Sequence, residues 1–530
     1  MKTAFAIITL ILVIFAVVYL TGNNVAECSV DGDCGSDGCT EWGSNYCSGI
    51  SVYHSKSCHA WSCDGGICKD SQTGIQELIE VCDDGCENGE CMQPECGNGV
   101  CGRHESWYNG TERLDFCMQD CGTGSQTNPY MVSGCISLQE VVNRPGSHYI
   151  LVRDIDFSGP ECGEFVSGEG FEPIGKESAE FTGTFDGQEY KLTGLFINRP
   201  SGSNVGLFGI TRDAVIKNLG LEAIDVTGYG PVGGLAGHKD GGIVENCYVT
   251  GYVNGVHSVG GLVGKNYPEG IIRNSGIIAY VSGSYRNIGG LVGVDGSSCI
   301  TENSYSLGNV NGGGYVGGLI GRNRGTISDS YATGNVSADG TRAGGLVGWN
   351  TGTIKKSYST GTVRIPADKM QAGGLAGSND GTIKNCYSTG SVYGGYYAGG
   401  LVGVNNRFVI NCYSTGGVVL TANYSHHGGG LIGYCYGEVK SSYATGNVGG
   451  NTITKGGVLG ELYPNGTISN CYWLNNMTGC CGSGTCASCV QASSQSDFYE
   501  SSYNVYDSGT SLWDFETVWF EEENGYPVLQ

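Results

Sequence analysis

Gly318-Leu319-Ile320-Gly321, followed three residues later by Gly325-Thr326-Ile327-Ser328-Asp329-Ser330-Tyr331-Ala332-Thr333-Gly334-Asn335-Val336, is the stretch on which the fold turns. The first box recurs with its branched residue at 207, 235, 262, 291, 319, 346, 375, 401, 431 and 458, at intervals of 26 to 30 residues. A period that regular marks a solenoid built by stacking one unit on the next. Glycine inside a helix costs about 1 kcal/mol relative to alanine, and here it punctuates every unit, so helical repeats are excluded. The intervening Val, Ile, Thr and Tyr fit a pleated surface. Leucine-rich repeats share the period, but their longer L-x-x-L-x-L frame is absent. Two or three short strands per unit, joined at glycine corners, make one coil. Each strand then pairs with its copy about 4.8 Å away, and ten coils make a rod on the order of 50 Å. The fold class expected is all-β: a parallel β-helix or β-solenoid of about ten 26–30-residue repeats, preceded by small disulfide-rich modules.

Outward from residues 205–475, which hold the repeats, the chain changes character on both sides. Residues 126–204 carry larger apolar residues, as in Phe181-Thr182-Gly183-Thr184-Phe185 and Leu192-Thr193-Gly194-Leu195-Phe196-Ile197. They suit an N-terminal cap and first coils, since a solenoid must close its open end. Residues 476–530 combine a Cys480, Cys481, Cys486, Cys489 insert with a C-terminal cap. Toward the N-terminus, 23–92 and 93–125 read as two Cys-rich modules. Residues 1–22, Met1-Lys2-Thr3 and then an uncharged apolar run to Leu20, read as a signal peptide or a retained membrane anchor. Either implies export, with the membrane touched only through that segment.

The G-G-L-[VIA]-G box followed by G-T-I-x-[ND]-[SC]-Y-[AS]-T-G-x-V resembles the GLUG repeat of bacterial and archaeal surface proteins, adhesin-like proteins and some immunoglobulin A peptidases. The D-I-D-F…F-T-G-T-F-D-G stretch before it and the Trp513-Asp514-Phe515 to Tyr526-Pro527-Val528-Leu529 ending are similar to the flanks of such repeats, so the resemblance spans roughly 129 to 530. It implies a parallel β-helix-like fold and a cell-surface or extracellular location, and it carries no general chemistry. Ser275-Gly276 departs from the Ser-Tyr pair, and the late cysteine insert lies outside the pattern.

Composition agrees with export. Fourteen of 26 cysteines, Cys28, Cys34, Cys39, Cys47, Cys58, Cys63, Cys68, Cys82, Cys86, Cys91, Cys96, Cys101, Cys117 and Cys121, fall in a stretch too poor in aliphatic residues to build a core unaided. Disulfides would supply the missing constraint, with a pairing that spacing does not reveal. The rival is zinc, because Cys486-Ala487-Ser488-Cys489 has C-x-x-C form. With 51 acidic against 27 basic residues the formal charge is −24, which repels nucleic acid and anionic lipid. No cofactor is expected; Asp31, Asp33 and Asp37 are candidate ligands for a structural Ca²⁺, against the plainer reading as solvated turn residues.

Period-2 alternation in the second box puts Cys/Ser, Ala/Ser, Gly and Val on one face and Tyr and Thr on the other. In-register stacking would align Tyr248, Tyr305, Tyr331, Tyr358, Tyr387, Tyr413, Tyr443 and Tyr472 as a ladder. Facing outward, the ladder offers rings and hydroxyls to sugars or extended peptides; facing inward, it is core. Asn218, Asn246, Asn274, Asn303, Asn385, Asn411 and Asn470 precede that box and read as corner caps that tolerate αL. Cys386 and Cys412, one coil apart, could form a disulfide or remain buried thiols. His426-His427 reads as a solvated loop pair.

No catalytic constellation emerges. The repeats' acids, such as Asp295, Glu302, Asp329 and Glu438, are scattered, and H-E-x-x-H is absent. The five sequons at Asn109, Asn335, Asn423, Asn465 and Asn476 are candidate glycosylation sites. The function expected is therefore surface interaction, adhesion or structure, not enzymatic, with extracellular glycan or protein partners and an open oligomeric state. The alternative is a polysaccharide-degrading hydrolase or lyase on the same fold.

Overall fold

The computed structural model describes residues 122–421, 426–450, 454–486 and 488–492, and as backbone only several strands between 38 and 91 and at 519–520 and 528–529. Residues 1–121 and 122–530 form separate compact units. In the first, strands Ser51–Asp64 and Ile67–Val81 pair antiparallel, and Gly38–Cys39 and Tyr46–Ser48 join them. The register sets Cys39 opposite Cys58, Cys63 opposite Cys68, and Cys86 opposite Cys91. The side chains of the fourteen N-terminal cysteines, Asn109 and the anchor segment 1–22 lie outside the described residues.

The second unit is a parallel β-solenoid. One turn, taken at the repeat quoted above, runs Tyr315–Gly317, Ile320–Asn323, Thr326–Ser328, Tyr331–Ala332 and Val336–Ala338. The last three belong to a 29-stranded sheet, the second to an 11-stranded sheet and the first to a 9-stranded sheet. Copies pair one turn apart with unbroken register, as in Ile327↔Ile354↔Ile383↔Val409↔Val439↔Ile468. The core is the branched residue of each box, with Leu207, Leu235, Leu262, Leu291, Leu319, Leu346, Leu375, Leu401 and Leu431 all fully buried. The first glycine of the Gly-Gly pair is required sterically: a Cβ on Gly344 would overlap the Val347 carbonyl oxygen. Asn218, Asn246, Asn274, Asn303, Asn385, Asn411 and Asn470 all take φ between 48° and 54°, the left-handed corner expected of them.

The N-terminal end is closed by an aromatic cluster of Tyr149, Phe157, Phe171, Phe181, Phe185 and Phe208, all fully buried. A Cys135–Cys162 disulfide joins a one-turn helix, Cys135–Gln139, to the 3-10 segment Pro160–Phe165. That helix was not legible in the strand-like pattern around it. At the other end the late cysteine insert continues the solenoid: Cys481–Ser483 pairs with Leu459–Leu462, and Cys489–Gln491 with Thr467–Trp473. The insert thus departs from the repeat in sequence but adds one more rung, held by Cys480–Cys489 and Cys481–Cys486 disulfides. Among the described residues no helix is long and apolar enough to cross a membrane.

Candidate functional site

The second-box alternation is realised. Ser330, Ser357, Cys386, Cys412, Ser442 and Cys471 point inward and are buried, while Thr333, Thr360 and Thr389 are exposed. Each inward hydroxyl or thiol donates to the carbonyl two residues earlier, as Ser330 to Ser328 (2.7 Å) and Cys386 to Lys384 (3.2 Å). A backbone N–H of the previous turn donates to it in several rungs, as Ser304 N to Ser330 Oγ (3.1 Å). Cysteine thus stands in for serine, and Cys386 and Cys412 are free thiols. Burial pushes the thiols of Cys247 and Cys471 up to about 12, far from thiolate reactivity.

The tyrosines face outward and stack. Ring centroids from Tyr331 through Tyr358, Tyr387 and Tyr413 to Tyr443 lie 4.8 to 5.0 Å apart with interplanar angles of 1° to 4°. Tyr305 joins at 5.7 Å, and Tyr472 follows in register. Tyr248 does not join: its register partners are Gly220 and Gly276, and the Tyr305 ring lies over the space a Gly276 side chain would take. The expected eight-rung ladder is thus seven rungs, with Tyr248 apart. Tyr305 to Tyr387 are half-buried, whereas Tyr413, Tyr443 and Tyr472 are 6%, 0% and 4% exposed. Each ring turns its faces to its neighbours, so edges and hydroxyls are what the stack offers a ligand.

A second outward feature lies on the seam between the 9- and 11-stranded sheets. One column runs Tyr315, Arg342, Gln371, Tyr397, His427. The other runs Val294, Arg322, Trp349, Ser378, Val404, Tyr434, Glu461. Arg322 and Arg342 sit 4.1 and 4.4 Å from the Trp349 ring, and Arg342 and Arg286 lie over Tyr315 at 4.9 and 5.8 Å. Among the described residues, no ion pair involves Arg286, Arg322, Arg324 or Arg342, and Arg322 Nε is buried without a partner. Burial, and then the Arg324 and Arg342 charges, hold the Arg322 guanidinium below its usual value. Asp380 accepts from Trp349 Nε1 and Asn406 Nδ2 instead of pairing with an arginine.

Further along the seam, Tyr397, His427, Tyr434, Tyr436 and Tyr463 pack with ring centroids 4.6 to 5.6 Å apart, and His427 Nδ1 lies 2.8 Å from Glu461. His426 is buried and stacks on Tyr396 at 4.4 Å. The histidine pair is therefore packed among aromatic rings, not solvated in a loop. Sequence reasoning missed this seam. Its signal was present at the variable positions beside the invariant glycines, where a repeat frame leaves residues free to face out.

The remaining candidates fall apart. Asp295 is fully buried, Asp329 occupies a left-handed corner, and on the 29-stranded sheet Glu302 lies in register with Arg273 and Ser328, and Glu438 with Phe408 and Thr467. The sulfurs of Cys480, Cys486 and Cys489 lie within 4.8 Å of one another, but each is held in a disulfide, Cys480 with Cys489 and Cys486 with Cys481. Asn335, Asn465 and Asn476 are exposed; Asn423 lies outside the described residues.

Three consecutive copies of the repeat unit, at 312–337, 339–364 and 370–393, match the GLUG motif. Halomucin of Haloquadratum walsbyi is 33% identical over 155 residues, 28% of this chain and 2% of its own length. A protein named Gly-rich membrane protein of Evansella cellulosilytica is 34% identical over 202 residues, 31% of this chain and 23% of its own. The immunoglobulin A1 protease of Streptococcus sanguinis is 31% identical over 180 residues, 31% of this chain and 9% of its own. The chain therefore spans less than a quarter of the length of each of these relatives. A solved structure described as an immunoglobulin A1 protease from Bacteroides ovatus aligns over 77% of this chain and 94% of that one at 18% identity, with a TM-score of 0.34, too loose to transfer activity.

Proposed function

We propose that the chain is an exported cell-surface interaction protein whose solenoid binds acidic glycans, carboxylated or sulfated, along the seam of Arg286, Tyr315, Arg322, Arg342 and Trp349. The observation that carries the reading is three arginines, Arg286, Arg322 and Arg342, without an acidic partner among the described residues and held around two aromatic rings, in a chain whose net charge is −24. Like charges held together, with one guanidinium nitrogen desolvated and unpartnered, gain most from an anion that accepts in fork geometry. Remote acids repel such a ligand, but screening over about 10 Å confines them to a long-range effect, while guanidinium groups act at contact. The names Halomucin and Gly-rich membrane protein among the relatives support a surface location. The Tyr305–Tyr387 stack is the weaker candidate, because its ring faces are already occupied by one another.

The test is an array of acidic and neutral glycans probed with the full chain and with an Arg322→Ala/Arg342→Ala variant. Losing charge-assisted hydrogen bonds of about 1.5–3 kcal/mol each should weaken acidic-glycan binding roughly tenfold or more per arginine, with the circular dichroism melt unchanged. Equal binding of neutral glycans, or a variant that binds as well as the parent, sinks the reading.

A further inference from the structure

Where the 11-stranded sheet turns into the 29-stranded one, an inward asparagine column runs up the solenoid. Asn323, Asn350 and Asn379 each donate Nδ2 to Oδ1 of the next rung's asparagine, at 2.7, 2.7 and 2.8 Å, ending on Asn405. Below Asn323 the same column reads Lys239, Asn266, Asp295 on three consecutive strands in register. Their exposures are 1%, 0% and 0%. Lys239 Nζ lies 3.1 Å from Asn266 Oδ1, while Asn266 Nδ2 donates to Asp295 Oδ1 at 2.6 Å. Thr301 Oγ1 donates to the other Asp295 oxygen at 2.9 Å. Gly270 closes the pocket, since a side chain there would overlap the Asn266 carboxamide and approach Lys239 Nζ.

An amine, a primary carboxamide and a carboxyl group thus share one water-excluded pocket, the amine on the carbonyl side and the carboxyl on the nitrogen side. We propose that Lys239 and Asn266 condense to an isopeptide bond that joins two neighbouring turns of the solenoid covalently, with Asp295 as the catalytic acid. The neutral Lys239 amine attacks Asn266 Cγ, forming a C–N bond. The Cγ–Nδ2 bond then breaks as the Asp295 carboxyl protonates the departing nitrogen, and Asp295 recovers a proton from the attacking amine. The products are a secondary amide and one ammonia, and no oxidant or reductant enters. Burial favours the forms this needs: it pushes the Lys239 ammonium down to about 8 and the Asp295 carboxyl up to about 6. The plainer alternative is a buried ammonium satisfied by Asn266 Oδ1 and the carbonyls of Gly241 and Gly242, both at 2.7 Å.

Peptide mass mapping of the reduced, folded full chain separates the two. Trypsin should leave 218–265 uncut at Lys239 and carrying 266–273 on that side chain, with the mass of one ammonia missing. Asp295→Asn, and separately Asn266→Asp, which has no ammonia to lose at that carbon, should return both as linear peptides. Linear peptides from the folded parent overturn the proposal, as does ammonia loss confined to 266–273 alone, which would mark a succinimide. A branched peptide that persists in both variants overturns the assigned roles. If a variant fails to fold, the map of the parent still decides, because linear peptides there overturn the proposal by themselves.

Discussion

The turns before residue 300 and those after it share one backbone path and differ in how they fill two columns of side chains. In the later turns tyrosine stacks on tyrosine outside, and inside asparagine bonds to asparagine from Asn323 to Asn405, beyond which the column continues as Cys435 and Leu462. In the earlier turns Tyr248 is isolated by Gly220 and Gly276, and the inner column holds Lys239, Asn266 and Asp295. The strands differ too. Tyr248–Gly255 and Gly276–Gly283 run unbroken, whereas Tyr331–Ala332 and Val336–Ala338 are split at Gly334. The comparison teaches that the glycine frame alone sets the turn, and that the ladders are interchangeable fillings. Identical residues on successive rungs give repetition, and the unlike trio Lys239, Asn266 and Asp295 brings an amine, a carboxamide and a carboxyl group together.

The largest expected effect tests what the two regions share. Gly233→Ala and Gly344→Ala both drive a Cβ into backbone atoms, near Gly264 N at 2.8 Å and Gly377 N at 2.7 Å, respectively. Each should cost about 3 kcal/mol or more, the range of the severe substitutions, read as lost strand signal in thermal circular dichroism. A benign result in one region alone would mean the frame is not common to both. Next, Asn350→Ala leaves Asn323 Nδ2 and Asn379 Oδ1 without their ladder partners, a loss of about 2–3 kcal/mol for buried groups so stranded, measured by denaturant unfolding.

Smaller again is the outer column. Tyr358→Ala removes two stacked pairs, with Tyr331 at 5.0 Å and Tyr387 at 4.8 Å. That should cost about 1–2 kcal/mol beyond lost burial, while Tyr248→Ala forfeits no ring stacking; equal losses would show that the stack contributes nothing. The subtlest effect is a slope. Asp295 is raised from 3.8 to about 6 by burial, so the folded state holds its proton longer than the unfolded chain. Its contribution is complete below pH 3.8 and lost as pH rises through 6. Unfolding followed across that window should show a decline in the parent that Asp295→Asn flattens.

Much of this was legible beforehand. The anchor glycines, the strand period and the division of residues 386–389 into a Ser/Cys face and a Tyr/Thr face follow from spacing, because a period of two has only two faces to distribute; which face turns inward was decided by the structure, where Cys386 and Ser388 are buried. The left-handed Asn corners were legible for the same local reason. The seam was not, since Arg322 and Trp349 lie 27 residues apart and Tyr315 and Arg342 the same, and only the rung-to-rung register makes them neighbours.

The sequence by itself determined that this chain coils, and roughly where each turn begins, because glycine sterics and apolar spacing act within one repeat. Only the tertiary structure decided which residues share a column, that Tyr248 stands apart, and that Lys239, Asn266 and Asp295 meet in one dry pocket. Those outcomes depend on backbone hydrogen bonds between turns, which fix register to the single residue and which no local pattern encodes.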